Sequence, residues 1–387
     1  MSEIQATNRF TYSLYIFIFG YALAFIISGV LVNHVIEHYG LVGAEQGYMN
    51  SVINMGNTIA IFLTIAMHIK VKKTTMIVIS GLLMTSMLLA TGLSGSFYML
   101  LIVSLILGFG LGWGDSYINS CIIDANPKDS LKKQGFLHGF YGIGALLTPV
   151  VAAALLTSIS WQGIYLLFSP IVMLTVVFYI ITLHTTKKYI DISNTETPKF
   201  SKVDILDYLR QKKNVLLLTA CLTYSIMQFG LFTWLVRYMS VQHGMEELGM
   251  VGITVMWVFT TISRFIAPRL KFDSMALHAF GSLAAGVFLL VGVVLNSPWV
   301  MLAMVGLASL TTGFSVMVLI NKSAVSNKIN SLLSTSAILL MTRVAGMVTP
   351  PFLGFISVYS MQGSMIVLVI ASIISGVLAF AFLRIKE

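Results

Sequence analysis

Gly108-Phe-Gly-Leu-Gly-Trp-Gly-Asp115-Ser-Tyr-Ile-Asn119, a polar link Asn126-Pro-Lys-Asp-Ser-Leu-Lys-Lys-Gln134, and His138-Gly-Phe-Tyr-Gly-Ile-Gly144-Ala-Leu-Leu-Thr-Pro149 form the stretch whose reading decides the fold. Two apolar, glycine-rich helices meet at a basic turn, and the first carries a single carboxylate. A charge inside an apolar span costs a few kcal/mol or more, so Asp115 marks a candidate functional site. The glycines Gly108, Gly112, Gly135 and Gly139 recur at spacings of four, which lets helices approach closely. They are no dinucleotide fingerprint, because no strand precedes them and no acid follows at the required distance.

The rest of the chain is of the same kind. Apolar residues make up 57% of the sequence and charged residues 10%, well below the charge of a soluble domain. Runs long enough to cross a bilayer fall at 11–36, 46–68, 74–94, 97–123, 133–157, 161–184, 214–240, 248–268, 275–295, 298–321, 330–357 and 361–384. The expected fold is an all-α membrane protein of twelve transmembrane helices. Met1–Arg9 is polar and lacks a small-residue cleavage site before Tyr12, so the first span is expected to be retained. Cys121 and Cys221 both lie in apolar runs, which excludes a disulfide framework or a cysteine metal site.

The charged segment 185–213 divides the spans into two sets of six, giving expected domains at 1–184 and 214–387 with a linker between them. Within the linker, Phe200–Leu209 alternates apolar and charged residues, as a surface helix does. With both termini cytoplasmic, all of the 23 Lys and Arg except Arg237 and Arg343 fall on the inner side. The outer links carry Glu37, Glu45, Glu246 and Glu247 and no lysine. The formal charge of +9 then belongs to the headgroup layer, and no nucleic-acid partner is needed to explain it.

The two halves repeat each other. Ile143-Gly-Ala-Leu-Leu-Thr-Pro149 matches Val344-Ala-Gly-Met-Val-Thr-Pro350, and Phe19-Gly20 matches Phe229-Gly230 at a similar offset. Parallel six-helix repeats with pseudo-two-fold symmetry place a substrate site between the halves at the membrane midplane.

These features resemble the major facilitator superfamily over essentially the whole chain. His68-Ile-Lys-Val-Lys-Lys73 is similar to a reduced form of that superfamily's Gly-x-x-x-Asp-Arg-x-Gly-Arg-Arg loop, with His68 at the Asp position and the basic pair kept. Ser263-Arg264-Phe-Ile-Ala-Pro-Arg269-Leu270 resembles its second-half version. The Gly108–Pro149 stretch resembles the fucose and glucose/mannose proton symporter branch. That resemblance implies a proton-linked acid at Asp115, with Asn119 and cavity aromatics as substrate contacts. The fucose members carry a further acid in the first helix, where this chain offers Asn33 and tyrosines.

Asp115 and Asn119 are four apart and share a helix face. Asp115 is read as the proton-coupling group, against a structural carboxylate tied to nearby amides. Arg343 lies about 13 residues into its helix, roughly 20 Å along the axis. Asp115 lies about nine residues from the inner end of its own, roughly 13 Å. These depths allow Arg343 either to hold an anionic substrate or to pair with Asp115 when the inner side is closed. His138 is read as a proton relay or as a neutral packing histidine. Tyr141, Asn57, Gln228 and Trp257 are candidate substrate contacts, with Asn54, Asn57 and Asn321 equally explained by interhelical hydrogen bonds. Arg264 and Arg237 are candidate gating residues, and Trp234 with Arg237 otherwise reads as an interfacial anchor.

No metal or cofactor spacing and no catalytic motif is present, so an enzyme is not expected. The reading is a monomeric secondary transporter of the bacterial cytoplasmic membrane, moving a small polar solute such as a sugar with protons by alternating access. The alternatives are an efflux carrier for an amphipathic drug, lipid or organic anion, for which 22 methionines offer an adaptable surface, and a non-transporting sensor or scaffold. The last has little use for buried Asp115 and Arg343.

Overall fold

The computed structural model describes residues 2–41, 45, 48–66, 71–189, 201–326 and 331–385, without the side chains of Asn33 and Lys202. His68, Lys70 and residues 190–200 of the expected linker therefore lie outside the described residues. The helices are α1 (Glu3–Val30), α2 (Val32–Tyr39), α3 (Tyr48–Ala66), α4 (Lys73–Gly92), α5 (Phe97–Ala125), α6 (Ser130–Leu156), α7 (Trp161–Thr186) and α8 (Lys202–Arg210). They continue as α9 (Lys212–His243), α10 (Glu246–Ile266), α11 (Ser274–Val294), α12 (Pro298–Thr312), α13 (Ser315–Ser326), α14 (Ser331–Tyr359) and α15 (Met361–Leu383). Among the described residues, twelve helical spans are long and apolar enough to cross a membrane, and α12 with α13 makes up the tenth.

Local chemistry sets many of the ends. Ser96, Ser160 and Ser360 cap α5, α7 and α15 by accepting a backbone N–H two or three positions into the helix, and Asp273 caps α11 in the same way. Gly244 closes α9 at φ 66°, in the left-handed region that only glycine enters without strain. Two expectations need correction. The first apolar run, 11–36, is not one helix: α1 starts at Glu3 behind a Ser2/Gln5 capping box and stops at Val30, with α2 beyond it. The run 298–321 is likewise interrupted, at Gly313–Phe314.

The chain forms two compact units, Met1–Ser201 with Asn330–Ser336, and Lys202–Ile329 with Ala337–Glu387. The boundary falls inside the expected linker, because α8 is bound to the second unit. Tyr208 hydrogen-bonds Ser323 Oγ at 2.7 Å, and Asn214 Nδ2 donates to the Tyr208 carbonyl at 2.9 Å. Burial pushes the Tyr208 hydroxyl up to about 12, so it stays neutral. The opening turns of α14 group with the first unit for a reason described below.

The two units share most of one neighbour scheme. In the first, α3 packs on α5, α4 on α5 and α7, and α1 on α6 and α7; in the second, α10 packs on α12, α11 on α12 and α15, and α9 on α15. The matched motifs occupy matched places. A Cβ on Gly144 would meet the Phe19 carbonyl and Ala22, and one on Gly346 would meet the Phe229 ring. A Cβ on Gly20 would run into Thr175 of α7, and one on Gly230 into Leu368 of α15. Two approaches are especially tight: α3 on α5, where Gly56 faces the Leu105 carbonyl and Gly108 the Ile53 carbonyl, and α11 on α12, where Gly281 faces the Thr311 carbonyl, each with no room for a side chain.

Candidate functional site

Asn126 ends α5 and sets up the site in the first unit. Its amide donates to the Ile122 carbonyl and to Thr11 Oγ1, both at 3.0 Å, while Pro127 prevents the helix from continuing. The chain turns at once into α6, and this register brings Asn119 opposite His138. Asn119 Nδ2 donates to the Asp115 carbonyl at 2.9 Å and to its carboxylate Oδ1 at 3.0 Å. Asn119 Oδ1 lies 3.1 Å from His138 Nε2. An amide oxygen only accepts, so His138 carries its proton on Nε2. One amide thus links a buried acid and a buried imidazole, all three side chains being 9% exposed or less. Two side chains of titratable type are thus joined through one amide inside an apolar bundle, where an ionisable group is costly to bury. Tyr141, one turn beyond His138, is half-buried with its ring 6.1 Å from Tyr21, whose ring stacks 6.3 Å from Phe25.

Two buried amides stand near this group. Asn57 is fully buried against the glycine face of α5, and neither of its amide atoms has a hydrogen-bond partner among the described residues. Gln134, one turn before His138 on the same face of α6, is in the same condition. A buried polar group left unpaired costs about 1–3 kcal/mol, so both need a reason beyond packing. The sequence reading passed over Gln134, although its four-residue spacing from His138 is visible in the chain.

It also passed over the role of Lys73. The side chain is fully buried, and all three ammonium protons are used: on Asp124 Oδ2 at 2.7 Å, Ser120 Oγ at 2.8 Å and Ser331 Oγ at 2.9 Å. Ser120 and Ser331 are themselves 2.8 Å apart. This knot holds the first turn of α14 in the first unit. The available signal was a lysine at the start of an apolar helix, needing an acid at the same end of the bundle.

In the second unit, Gln228 and Trp257 are half-buried on α9 and α10, with the Trp257 ring 6.2 Å from Phe232. Arg343 is half-buried on α14, and Arg237 is exposed on α9. Arg264 lies in the last turn of α10, within the expected span 248–268. The helix runs on to Ile266, and Arg264 is buried, its Nε donating to the Gly313 carbonyl at 3.1 Å and its guanidinium 5.9 Å from the Trp257 ring centre. That carbonyl sits at the break in the tenth span. The close fit explains the position, since a Cβ on Gly313 would lie 2.6 Å from Thr260 Cα.

His278 was not anticipated. Its Nδ1 lies 2.8 Å from Ser315 Oγ and its Nε2 3.2 Å from Ser375 Oγ. Ser375 gives its own proton to the Ala220 carbonyl at 2.8 Å, so Nε2 is the donor and Nδ1 accepts from Ser315. A neutral, fully bonded histidine therefore ties α9, α11, α13 and α15 together just beyond the helix break. Among the described residues no three His, Cys, Asp or Glu gather to hold a metal.

A family model described as Major Facilitator Superfamily matches residues 14–339. The chain belongs to the major facilitator superfamily. It is accordingly an integral membrane transporter and not an enzyme. No curated protein matches the sequence. Among solved structures, FucP, an MFS transporter in the outward conformation, is similar with a TM-score of 0.80 at 16% identity over 97% of this chain and 99% of that one. A variant of the E. coli fucose:proton symporter FucP gives 0.78 at 17% identity over the whole of both chains. The human organic anion transporter MFSD10 (TETRAN) gives 0.75 at 14% over 97% and 99%. At these identities the likeness establishes the shared twelve-helix fold.

Proposed function

We propose that this transporter carries a small polar solute, a sugar or a related compound, into the cell together with protons, with both termini cytoplasmic. The observation that carries the reading is the Asp115–Asn119–His138 chain, which places two titratable groups on one amide inside the first unit. Asp115 is the proton-linked acid and His138 its relay. Asn57 and Tyr141 of the first unit, with Gln228 and Trp257 of the second, are the proposed solute contacts. The fold likeness to a fucose:proton symporter is consistent with this.

The test is transport by the purified protein in proteoliposomes, with counterflow of labelled sugars under an imposed pH gradient. Asp115→Asn should abolish uphill accumulation and leave exchange largely intact, because exchange moves no net proton. Accumulation by Asp115→Asn with normal pH dependence means that another group carries the proton. A second reading, an organic-anion carrier, is supported by Arg264 and Arg343 in the second unit and by the fold likeness to an organic anion transporter. Counterflow of organic anions in the same vesicles, without counterflow of sugars, decides for it.

A further inference from the structure

We infer that α8 is an interfacial helix that binds anionic lipid headgroups at the end of the second unit. Its placement fixes the level. Tyr208, 1% exposed, is bonded to Ser323, Asn214 to the Tyr208 carbonyl, and Lys213 Nζ to the Ser326 carbonyl at 2.7 Å. Ser323 and Ser326 end one membrane span and Lys213 and Asn214 begin another, so α8 lies where the spans leave the apolar layer. Its other face presents Val203, Leu206 and Leu209, which are 62%, 51% and 47% exposed. A spacing of three sets these side chains along one stripe.

Three side chains on a helix of 9 residues offer far less than the roughly 800 Å² per partner of a stable protein interface. They are enough to enter the boundary between headgroups and acyl chains. The charges around the stripe select the headgroup. Arg210, Lys212 and Arg384 are exposed, and Lys322 lies 5.7 Å from the Phe382 ring, at the same end of the unit. With Lys213 these cations outnumber the two acids of α8, half-buried Asp204 and exposed Asp207. A cationic rim beside an apolar stripe fits an anionic lipid such as phosphatidylglycerol. The inference rests on the membrane-spanning fold and is independent of solute and proton.

The test uses the full chain with a polarity-sensitive fluorophore on Leu206→Cys or Asp207→Cys, since Cys121 and Cys221 are buried. In vesicles of phosphatidylcholine with phosphatidylglycerol, the label at 206 should be quenched by nitroxide lipid and shielded from acrylamide, and the label at 207 should show the reverse bias. When phosphatidylglycerol is titrated into the detergent-solubilised Leu206→Cys protein, the apparent affinity should exceed that for phosphatidylcholine. It should fall about fivefold for each of Arg210→Gln and Lys212→Gln. Should either substitution lower the folded yield, raised salt must weaken the phosphatidylglycerol response in the Leu206→Cys protein itself. Equal acrylamide access at 206 and 207 would place the stripe in water. Shielding of 206 from both quenchers would mean that protein covers it. A response indifferent to lipid charge, to the two substitutions and to salt would remove the headgroup site. Any of these three results overturns the inference.

Discussion

Replacing Lys73 by methionine removes an ammonium group that is 1% exposed and leaves Asp124, 12% exposed, without its cation. Breaking a buried ion pair from one side costs about 3–5 kcal/mol. The slight hydration of Asp124 and the hydrogen bond that Ser120 and Ser331 keep with each other place the expected loss near the lower end, about 3 kcal/mol. Lys73→Met with Asp124→Asn removes the stranded charge, and the double variant should lose only about 1 kcal/mol. Asp124→Asn alone strands the buried ammonium and adds a loss of its own, so the coupling between the two positions is at least about 2 kcal/mol, well above the error of additivity. The readouts are unfolding free energies of the four proteins in one detergent and amide hydrogen exchange at residues 331–336. If the knot is what holds the start of α14, exchange there should speed up by about 100-fold in Lys73→Met, the equivalent of the expected loss. Lys128→Met, at an exposed lysine, should change stability by less than about 0.5 kcal/mol. Additive single effects, or unchanged exchange at 331–336, would refute this account of Lys73.

Other perturbations test other parts. Gly108→Val forces a side chain against the Ile53 carbonyl and should cost about 1–3 kcal/mol or prevent α3 and α5 from packing, whereas Gly114→Ala, with its nearest neighbour at 3.3 Å, should be tolerated. Monodispersity on size exclusion reports both, and equal behaviour of the two variants would contradict the close-approach reading. Arg264→Met leaves the Gly313 carbonyl without its donor and should lower stability by about 1–3 kcal/mol. Arg264→Lys should restore little of this in a thermal unfolding assay, because an ammonium does not reproduce the guanidinium fork. A cysteine at Asn194 should resist an impermeant thiol reagent in intact right-side-out cells and react after permeabilisation. Labelling of intact cells would invert the proposed topology.

The legible parts of this protein were those whose cause is local. An apolar run with polar ends declares a membrane helix wherever it packs, so the described borders Trp161–Thr186 and Met361–Leu383 fall close to the apolar runs. Asp115 and Asn119 are one helical turn apart, so their meeting follows from spacing alone. His138 needed one more fact, the register of the turn after Asn126, and its partner was not readable. The break at Gly313 was hidden because Thr312, Gly313 and Phe314 do not interrupt an apolar run. What opens the helix there is the backbone of Thr260 and the side chain of Arg264, both distant in sequence. His278 was hidden for the same reason, since its partners Ser315 and Ser375 are 37 and 97 residues away. In a chain this apolar, hydrophobicity specifies the helices but hardly distinguishes their neighbours. Buried polar groups supply that distinction, because an unpaired one costs about as much as a helix contact gains. Lys73, Arg264 and His278 each tie together helices that hydrophobicity alone would leave interchangeable, and the polar groups of this chain are therefore best read in pairs across helices.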